Sequence, residues 1–472
     1  MRRRKNYYGS RRRRLGGGGW ILLLLFLLIA GGAAGYVWFS PKFERVAPTV
    51  ELPATRYWNP KKPIGIRVAD NQGLGSYRVF LTDGVKRILL ASGTFVEGLK
   101  EAKIPVTISE KIELDPKRAP WILQVDVADR SLWNFGKGNR AHAESKILVD
   151  RTPPALGVLA QSPSIVRGGS ALVIFQARDS HLKSVVLRAG GREWKAIPYT
   201  AKGTYATLLA WPFRQPGFQA EIIAEDLAGN RSVLRVPFET INRKYRQSWI
   251  QLSDRFLNGK IAEIASQFPE IAKIHDPLKR FKAVNEDLRK RNEALIHRYS
   301  SKVTPVDFSH WKLRAFYPLK HAKRVADFGT ERHYYYKDRN VEVSRSYHMG
   351  YDLASTRNAP IFSSNPGTVV FASYNGIYGN MPIIDHGLGL YTLYGHCSSL
   401  LVAKGDKVRA GEVIAKTGKT GLALGDHLHF GMLVQGTEVL PMDWMKANWI
   451  KSHIDQVFKR ADRIIASQKS SR

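Results

Sequence analysis

The chain has a single cysteine, Cys397, in 472 residues. No internal disulfide can form, so the fold must be held by hydrophobic cores. A lone cysteine ordinarily serves as a small buried filler. Acid is also scarce: 40 Asp and Glu stand against 73 Lys and Arg, a formal net charge of +33. Such a surplus speaks of partners rather than of fold, and it points to nucleic acid, anionic lipid or anionic cell-wall polymer. Long uncharged apolar runs are absent except for one, Trp20 to Phe39. No cysteine lies near it, which excludes a lipid anchor attached through an N-terminal thiol.

That run is long enough to cross a bilayer as a helix, for which about 20 apolar residues suffice. Trp20 at one end and Tyr36 and Trp38 at the other sit where interfacial aromatics belong. The arginine-rich head before it, "MRRRKNYYGSRRRRLGGGG", predicts a cytoplasmic N-terminus and an exported remainder. A cleaved signal peptide usually has a shorter apolar core, and here Tyr36-Val37-Trp38-Phe39 continues past the small residues at 30–34. The expectation is a single-pass protein of the cytoplasmic (inner) membrane, with its C-terminal part in the periplasm or the extracellular wall space. Export argues against nucleic acid as the partner. It favours the membrane through residues 20–39 and anionic envelope polymers through the basic surface.

The remainder divides by pattern. After the head and anchor, residues 1–45, two β-rich stretches follow, 46–152 and 153–241. They read as copies of one plan, with "PIGIRVADNQGLGSYRVFL" matching "ALVIFQARDSHLKSVVLRA", each an apolar run, an acidic turn and a second apolar run. Short strands with turn signals at this spacing suggest β-sandwiches, and "AEDLAGNRS" resembles a turn of bacterial immunoglobulin-like domains. Residues 242–302 change to helical period. Asp276-Pro277 caps one helix, and Leu278, Phe281, Val284, Leu288 and Leu295 recur at helical spacing. This connector is a candidate surface for self-association or a regulatory partner. From 303 to 472 short strands and glycine turns return, closed by a basic helical tail.

In that last domain "GDHLHFGM" places His427 and His429 on one parity and Leu428, Phe430, Met432 and Val434 on the other. Period two is the signature of a half-buried strand, whose histidine face would look onto a cleft or solvent. The pair alone leaves surface histidines and a metal site both open. "SYHMGYDLAS" adds His348 and Asp352, which share a face in an extended run, while Gly350 between them disfavours a helix. "LYTLYGHCSSL" adds His396 at the end of a β-prone run. Imidazoles with one carboxylate form a suitable set for Zn²⁺, which in catalytic sites takes three protein ligands. Two histidines are then left to move a proton and to stabilise an oxyanion.

At this point the domain from about 305 to 445 resembles the lysostaphin/LytM zinc metalloendopeptidases, which cut peptidoglycan peptides. The motifs that carry the resemblance are "HMGYD" (348–352), "YGH" (394–396) and "HLH" (427–429), with "NAPIFSSNPGTVVFA" and "GNMPIIDHGLGLYTLYGH" between them. The resemblance implies a mainly β protein. An N-terminal transmembrane helix, two immunoglobulin-like domains and the helical connector would precede a small antiparallel-sheet peptidase. It implies His348, Asp352 and His429 as ligands of one zinc, and His427 and His396 as catalytic residues. Of these, His427 would be the general base toward water and His396 would orient the water or stabilise the oxyanion; which does which stays open. The substrate implied is the peptide stem of peptidoglycan.

Two other readings compete. A LytM-fold activator or wall-binding protein without chemistry would lack part of this set, yet all five positions are present. A swivelling carrier domain, suggested by "VAKGDKVRAGEVIAKTGKTG", needs a lysine at a hairpin tip in a context such as Met-Lys-Met, and none exists. Finally, "RHYYYKDRN" (332–340) ahead of the first motif is expected to cover the groove.

Overall fold

The computed structural model describes residues 18–109, 114 and 121–470. The arginine-rich head, residues 1–17, lies outside the described residues. The chain divides into two compact units, one comprising 1–152 with 227–230 and the other 153–226 with 231–472.

The first unit opens with the helix Gly18–Phe39, the one described helix long and apolar enough to cross a membrane. Its leucines and aromatics are exposed along its whole length. A short 3₁₀ turn, Pro41–Phe43, leads into two sheets. One has three strands, in the order 49–51, 64–69, 101–106; the other has five, in the order 55–58, 140–149, 121–129, 74–82, 87–94. Strict alternation along Trp121–Asp129 sends Trp121, Leu123, Val125 and Val127 into a core shared with Ile66 and Val68 of the smaller sheet. Each such side chain contributes about 1.5–3 kcal/mol on burial.

The second unit begins with two four-stranded sheets built from residues 155–236. Their core, around Phe175, Trp194 and Leu208, is continuous with that of the C-terminal sheet. That sheet has an antiparallel path in the order 323–326, 351–354, 428–434, 390–395, 380–385, 367–374, 407–408. Residues 242–302 start with a strand, Gln247–Gln251, parallel to Glu331–Tyr335, before turning helical. Prolines at 269 and 277 each open a helix, and the Asp276 side chain accepts from the Lys279 N–H at 2.8 Å. The apolar stripe of these helices, Leu257, Ile264, Phe281, Val284, Leu288 and Ile296, faces inward. It packs on Phe371, Met381, Ile383 and Leu433 of the main sheet.

That packing changes the expected character of the strand Leu428–Val434. Every residue in it is buried: Leu428, Phe430, Met432 and Val434 lie in the core shared with the sheets of 155–236, Leu433 on the other face lies in the cluster with these helices, and His429 sits among His348, Tyr378 and His396. Residues 331–335 likewise form an interior element, the middle strand of a three-stranded sheet with 247–251 and 342–347. Tyr334 packs edge-on against Phe281, with ring centroids 5.1 Å apart. The tail is helical, and its last helix, Gln456–Ser470, buries Val457, Ala461 and Ile465. Cys397 is fully buried.

Candidate metal centre

Asp352 lies on the strand Tyr351–Ala354 and His429 on the neighbouring Leu428–Val434, in direct register opposite each other. Gly395, at the end of Leu390–Gly395, pairs with His429 from the other side. Three antiparallel strands therefore meet at one imidazole. His348 arrives from the turn before Tyr351, and that turn depends on glycine. A Cβ at Gly350 would stand 2.6 Å from the Phe430 carbonyl and 2.7 Å from His429 Nε2. The glycine between the first histidine and the aspartate is thus where the second histidine's ring sits.

The three ligand-type atoms converge. His348 Nε2 is 2.9 Å from Asp352 Oδ1 and 3.1 Å from His429 Nδ1, and His429 Nδ1 is 3.0 Å from Asp352 Oδ1. A tetrahedral zinc site with bonds of about 2.0–2.1 Å has ligand separations of about 3.3 Å, so the triangle has the right size. The chemistry of the donors agrees. His348 Nδ1 lies 2.9 Å from the Asp327 carbonyl, which accepts but cannot donate. The ring proton belongs there, and Nε2 turns a lone pair to the cluster. Lone pairs and a carboxylate oxygen facing one another repel unless a cation stands among them. The residues present therefore fit a divalent metal.

Burial pushes His348 down to about 4, which keeps it neutral, as a ligand must be.

The remaining two histidines flank this triangle. The His396 ring lies 4.8 Å from that of His427 and 5.8 Å from that of His429, centroid to centroid. Each is held in the same manner: His396 Nδ1 is 2.8 Å from the Thr420 carbonyl and His427 Nδ1 is 2.9 Å from the Gly425 carbonyl. In both, Nδ1 carries the proton and Nε2 is left to accept one. His427 Nε2 is 3.6 Å from Asp352 Oδ1. His396 adopts a left-handed backbone conformation, φ +65°, with its N–H donating to the Tyr378 carbonyl at 2.8 Å. Such a conformation costs a non-glycine residue about 1–3 kcal/mol and persists only where its surroundings impose it. Burial drives the His396 imidazole well below its ordinary value. His427 is the more open of the two, and although burial opposes it, Asp352 beside it raises its proton affinity.

All five residues singled out in the sequence thus occur in one cluster. Sequence reasoning missed Arg332. Its guanidinium Nη2 lies 3.5 Å from Asp352 Oδ2, the carboxylate oxygen other than the one that meets the histidines. Alternation along Glu331–Tyr335 puts Arg332 on the same face as the core residue Tyr334, and that parity was the one available signal. The carbonyls of Asp327, Thr420 and Gly425 left no trace in side-chain identity.

The chain is similar to several known proteins. The peptidoglycan DD-endopeptidase ShyA of Vibrio cholerae is 40% identical over 101 residues, 21% of this chain and 23% of that protein. The DD-carboxypeptidase/endopeptidase Mpg of Neisseria meningitidis serogroup B is 40% identical over 125 residues, 26% of this chain and 27% of that protein. The chain thus spans about a quarter of the length of the curated relatives it matches. Among solved structures, the catalytic domain of the antimicrobial peptidase lysostaphin from Staphylococcus simulans is similar at 27% identity and a TM-score of 0.22. It covers 26% of this chain and 92% of that one. The description Peptidase family M23 matches residues 346–441, which hold all five clustered side chains, and the C-terminal part of this chain is therefore an M23 domain.

Proposed function

We propose that this protein is a membrane-held zinc metalloendopeptidase that hydrolyses peptide cross-links of peptidoglycan. The observation that carries the reading is the convergence of His348 Nε2, Asp352 Oδ1 and His429 Nδ1 within 2.9–3.1 Å, flanked by two histidines with free Nε2 atoms. His348, Asp352 and His429 would hold the zinc. When bound, zinc supplies Lewis acidity toward a peptide carbonyl and toward water.

The chain's own residues do the rest. His427 Nε2 is the site to which the attacking water gives its proton, since Gly425 fixes the tautomer and this imidazole is nearest the open side. His396, buried and neutral, accepts a hydrogen bond from the water at Nε2 and orients it, and His427, once protonated at Nε2, returns that proton to the leaving amine nitrogen. Arg332 engages the far oxygen of Asp352 and so keeps Oδ1 directed at the histidines.

Residues 20–39 hold the protein at the inner membrane, the M23 domain lies on its outer side, and the basic composition favours anionic wall polymers. The relatives named as DD-endopeptidases support D,D-cross-links as the bond cut. Mass spectrometry of purified peptidoglycan incubated with the protein tests this. Release of cleaved stem dimers, abolished by chelator and restored by zinc, is expected. Intact cross-links after incubation with fully zinc-loaded protein would leave the regulator reading in its place.

A further inference from the structure

Far along the chain from the histidine cluster, three carboxylates meet in the first unit. Glu44 follows the 3₁₀ turn that ends the N-terminal helix. Asp70 begins the turn between strands 64–69 and 74–82, and Asp129 closes the strand Trp121–Asp129. One oxygen of each lies within 4.8 Å of the others. Asp70 is 8% exposed and Asp129 is 7% exposed. Burial of like charges demands compensation, and no ion pair to these three occurs among the described residues. Arg130, next in sequence to Asp129, spends its guanidinium on the Leu74 and Phe95 carbonyls.

Backbone N–H groups serve Asp129 Oδ1, from Ser131 and Asn139 at 2.9 and 2.8 Å, and Glu44 Oε2, from Val46 at 2.8 Å, but one oxygen of Asp70 is left out. Asp70 Oδ1 accepts from the Gln72 and Gly73 N–H groups at 2.9 and 2.6 Å, but its Oδ2 is buried with no partner at all. The Asn139 amide nitrogen faces three acceptors: Asp129 Oδ2 at 2.7 Å, the Glu44 carbonyl at 2.9 Å and Glu44 Oε1 at 3.0 Å. An amide nitrogen has two hydrogens and the Glu44 carbonyl also accepts from Ser131 Oγ at 2.7 Å, so these three acceptors are served and Asp70 Oδ2 is the buried oxygen left without a partner. Burial raises the Glu44 carboxyl above its ordinary value, the Val46 N–H bond opposes this, and Asp129 and Asp70 beside it add to the rise.

We propose that Glu44, Asp70 and Asp129 form a calcium site that ties the segment leaving the membrane helix to the first β domain. The donors are all oxygens, carboxylate and carbonyl, with no nitrogen or sulfur ligand, which suits a hard cation of flexible coordination. The same segment is already stitched to the loop after Asp129. The Lys42 carbonyl accepts from the Leu132 N–H at 2.7 Å, and the Glu44 carbonyl accepts from Ser131 Oγ at 2.7 Å. Arg45 lies over the rings of both Trp38 and Trp133. A bound cation would add a further tie across this junction. The inference does not depend on the reading of the M23 domain.

The test uses the full chain in detergent micelles, zinc-loaded, with ⁴⁵Ca²⁺ equilibrium dialysis and thermal melts. One calcium per chain is expected, with a Kd of about 10⁻⁴–10⁻³ M, as in extracellular modules. Calcium is expected to raise Tm, and magnesium to do so less. Asp70→Asn and Glu44→Gln should each weaken calcium binding at least tenfold and leave zinc content unchanged. Glu44→Gln serves if Asp70→Asn fails to fold, because Glu44 is only half-buried. Wild-type protein that takes up no calcium at about 10 mM would overturn the proposal, leaving a shared proton as the compensation. Calcium bound equally well by a folded variant would overturn it too.

Discussion

Asp352 Oδ1 and His429 Nδ1 face each other at 3.0 Å across two adjacent antiparallel strands, in direct register. A one-residue slip of either strand would turn one of the pair to the opposite face. The site is therefore as rigid as the sheet that carries it, and its members separate into those that would hold metal and those that would work beside it.

We expect His427→Ala to keep zinc and to lose about 10²–10⁴-fold in hydrolysis, the range typical of a positioned acid or base. His429→Ala and Asp352→Ala should lose the metal itself. Zinc content by mass spectrometry, beside cleavage of purified peptidoglycan, separates the two classes. Undiminished hydrolysis by His427→Ala would move the base role to His396.

Arg332 acts through Asp352 rather than on substrate. Arg332→Ala should weaken zinc binding about 10- to 100-fold, the usual effect of removing a partner of a ligand. Arg332→Lys should recover part of it, since the charge returns without the fork. Chelator competition on the apo-protein measures this without any activity assay. Equal zinc affinity in all three proteins would reduce Arg332 to a surface ion pair.

Gly350→Ala places a methyl carbon 2.6 Å from the Phe430 carbonyl and 2.7 Å from His429 Nε2. We expect a loss of about 1–3 kcal/mol, as for other overpacked sites, with reduced zinc content. Gly425→Ala, where a Cβ meets nothing within 4 Å, is the matched control. Differential scanning fluorimetry of both variants, with and without zinc, distinguishes a local clash from general intolerance.

Asp443 is buried, and burial raises its carboxyl to about 6 from 3.8. A carboxyl whose pKa is higher in the folded state costs stability as pH rises from about 4 through 6, and the cost is constant above that. Asp443→Asn should therefore stabilise the protein at pH 8 by up to about 3 kcal/mol and have little effect at pH 4. Denaturant melts at the two pH values check the sign. Stabilisation that is the same at both would point to packing instead.

Deleting residues 332–340 should abolish activity rather than raise it. The stretch supplies the middle strand of a sheet, the Tyr334 ring on Phe281, and Arg332. Circular dichroism and zinc content of the deletion variant decide this. A folded, more active product would restore the idea of a removable cover.

Much of this was legible in the chain itself. The apolar run 20–39, the helix opening at Asp276-Pro277 and the five residues of the histidine cluster are local patterns. Period, capping chemistry and motif spacing act within a few residues, so sequence alone carries them. Three things were decided only in three dimensions. The strand Leu428–Val434 is buried on both faces, with Leu433 in the same cluster as Phe281 and Leu288, because the apolar stripe of the helices needs a partner and the main sheet provides it. Arg332 meets Asp352 across 20 positions of sequence, through sheet packing that no local signal encodes. The tautomers of His348, His396 and His427 are set by backbone carbonyls at Asp327, Thr420 and Gly425, and every residue has a carbonyl. Residue identity specifies which side chains can do chemistry. The fold selects which carbonyl faces each ring, and hence which nitrogen is free to act.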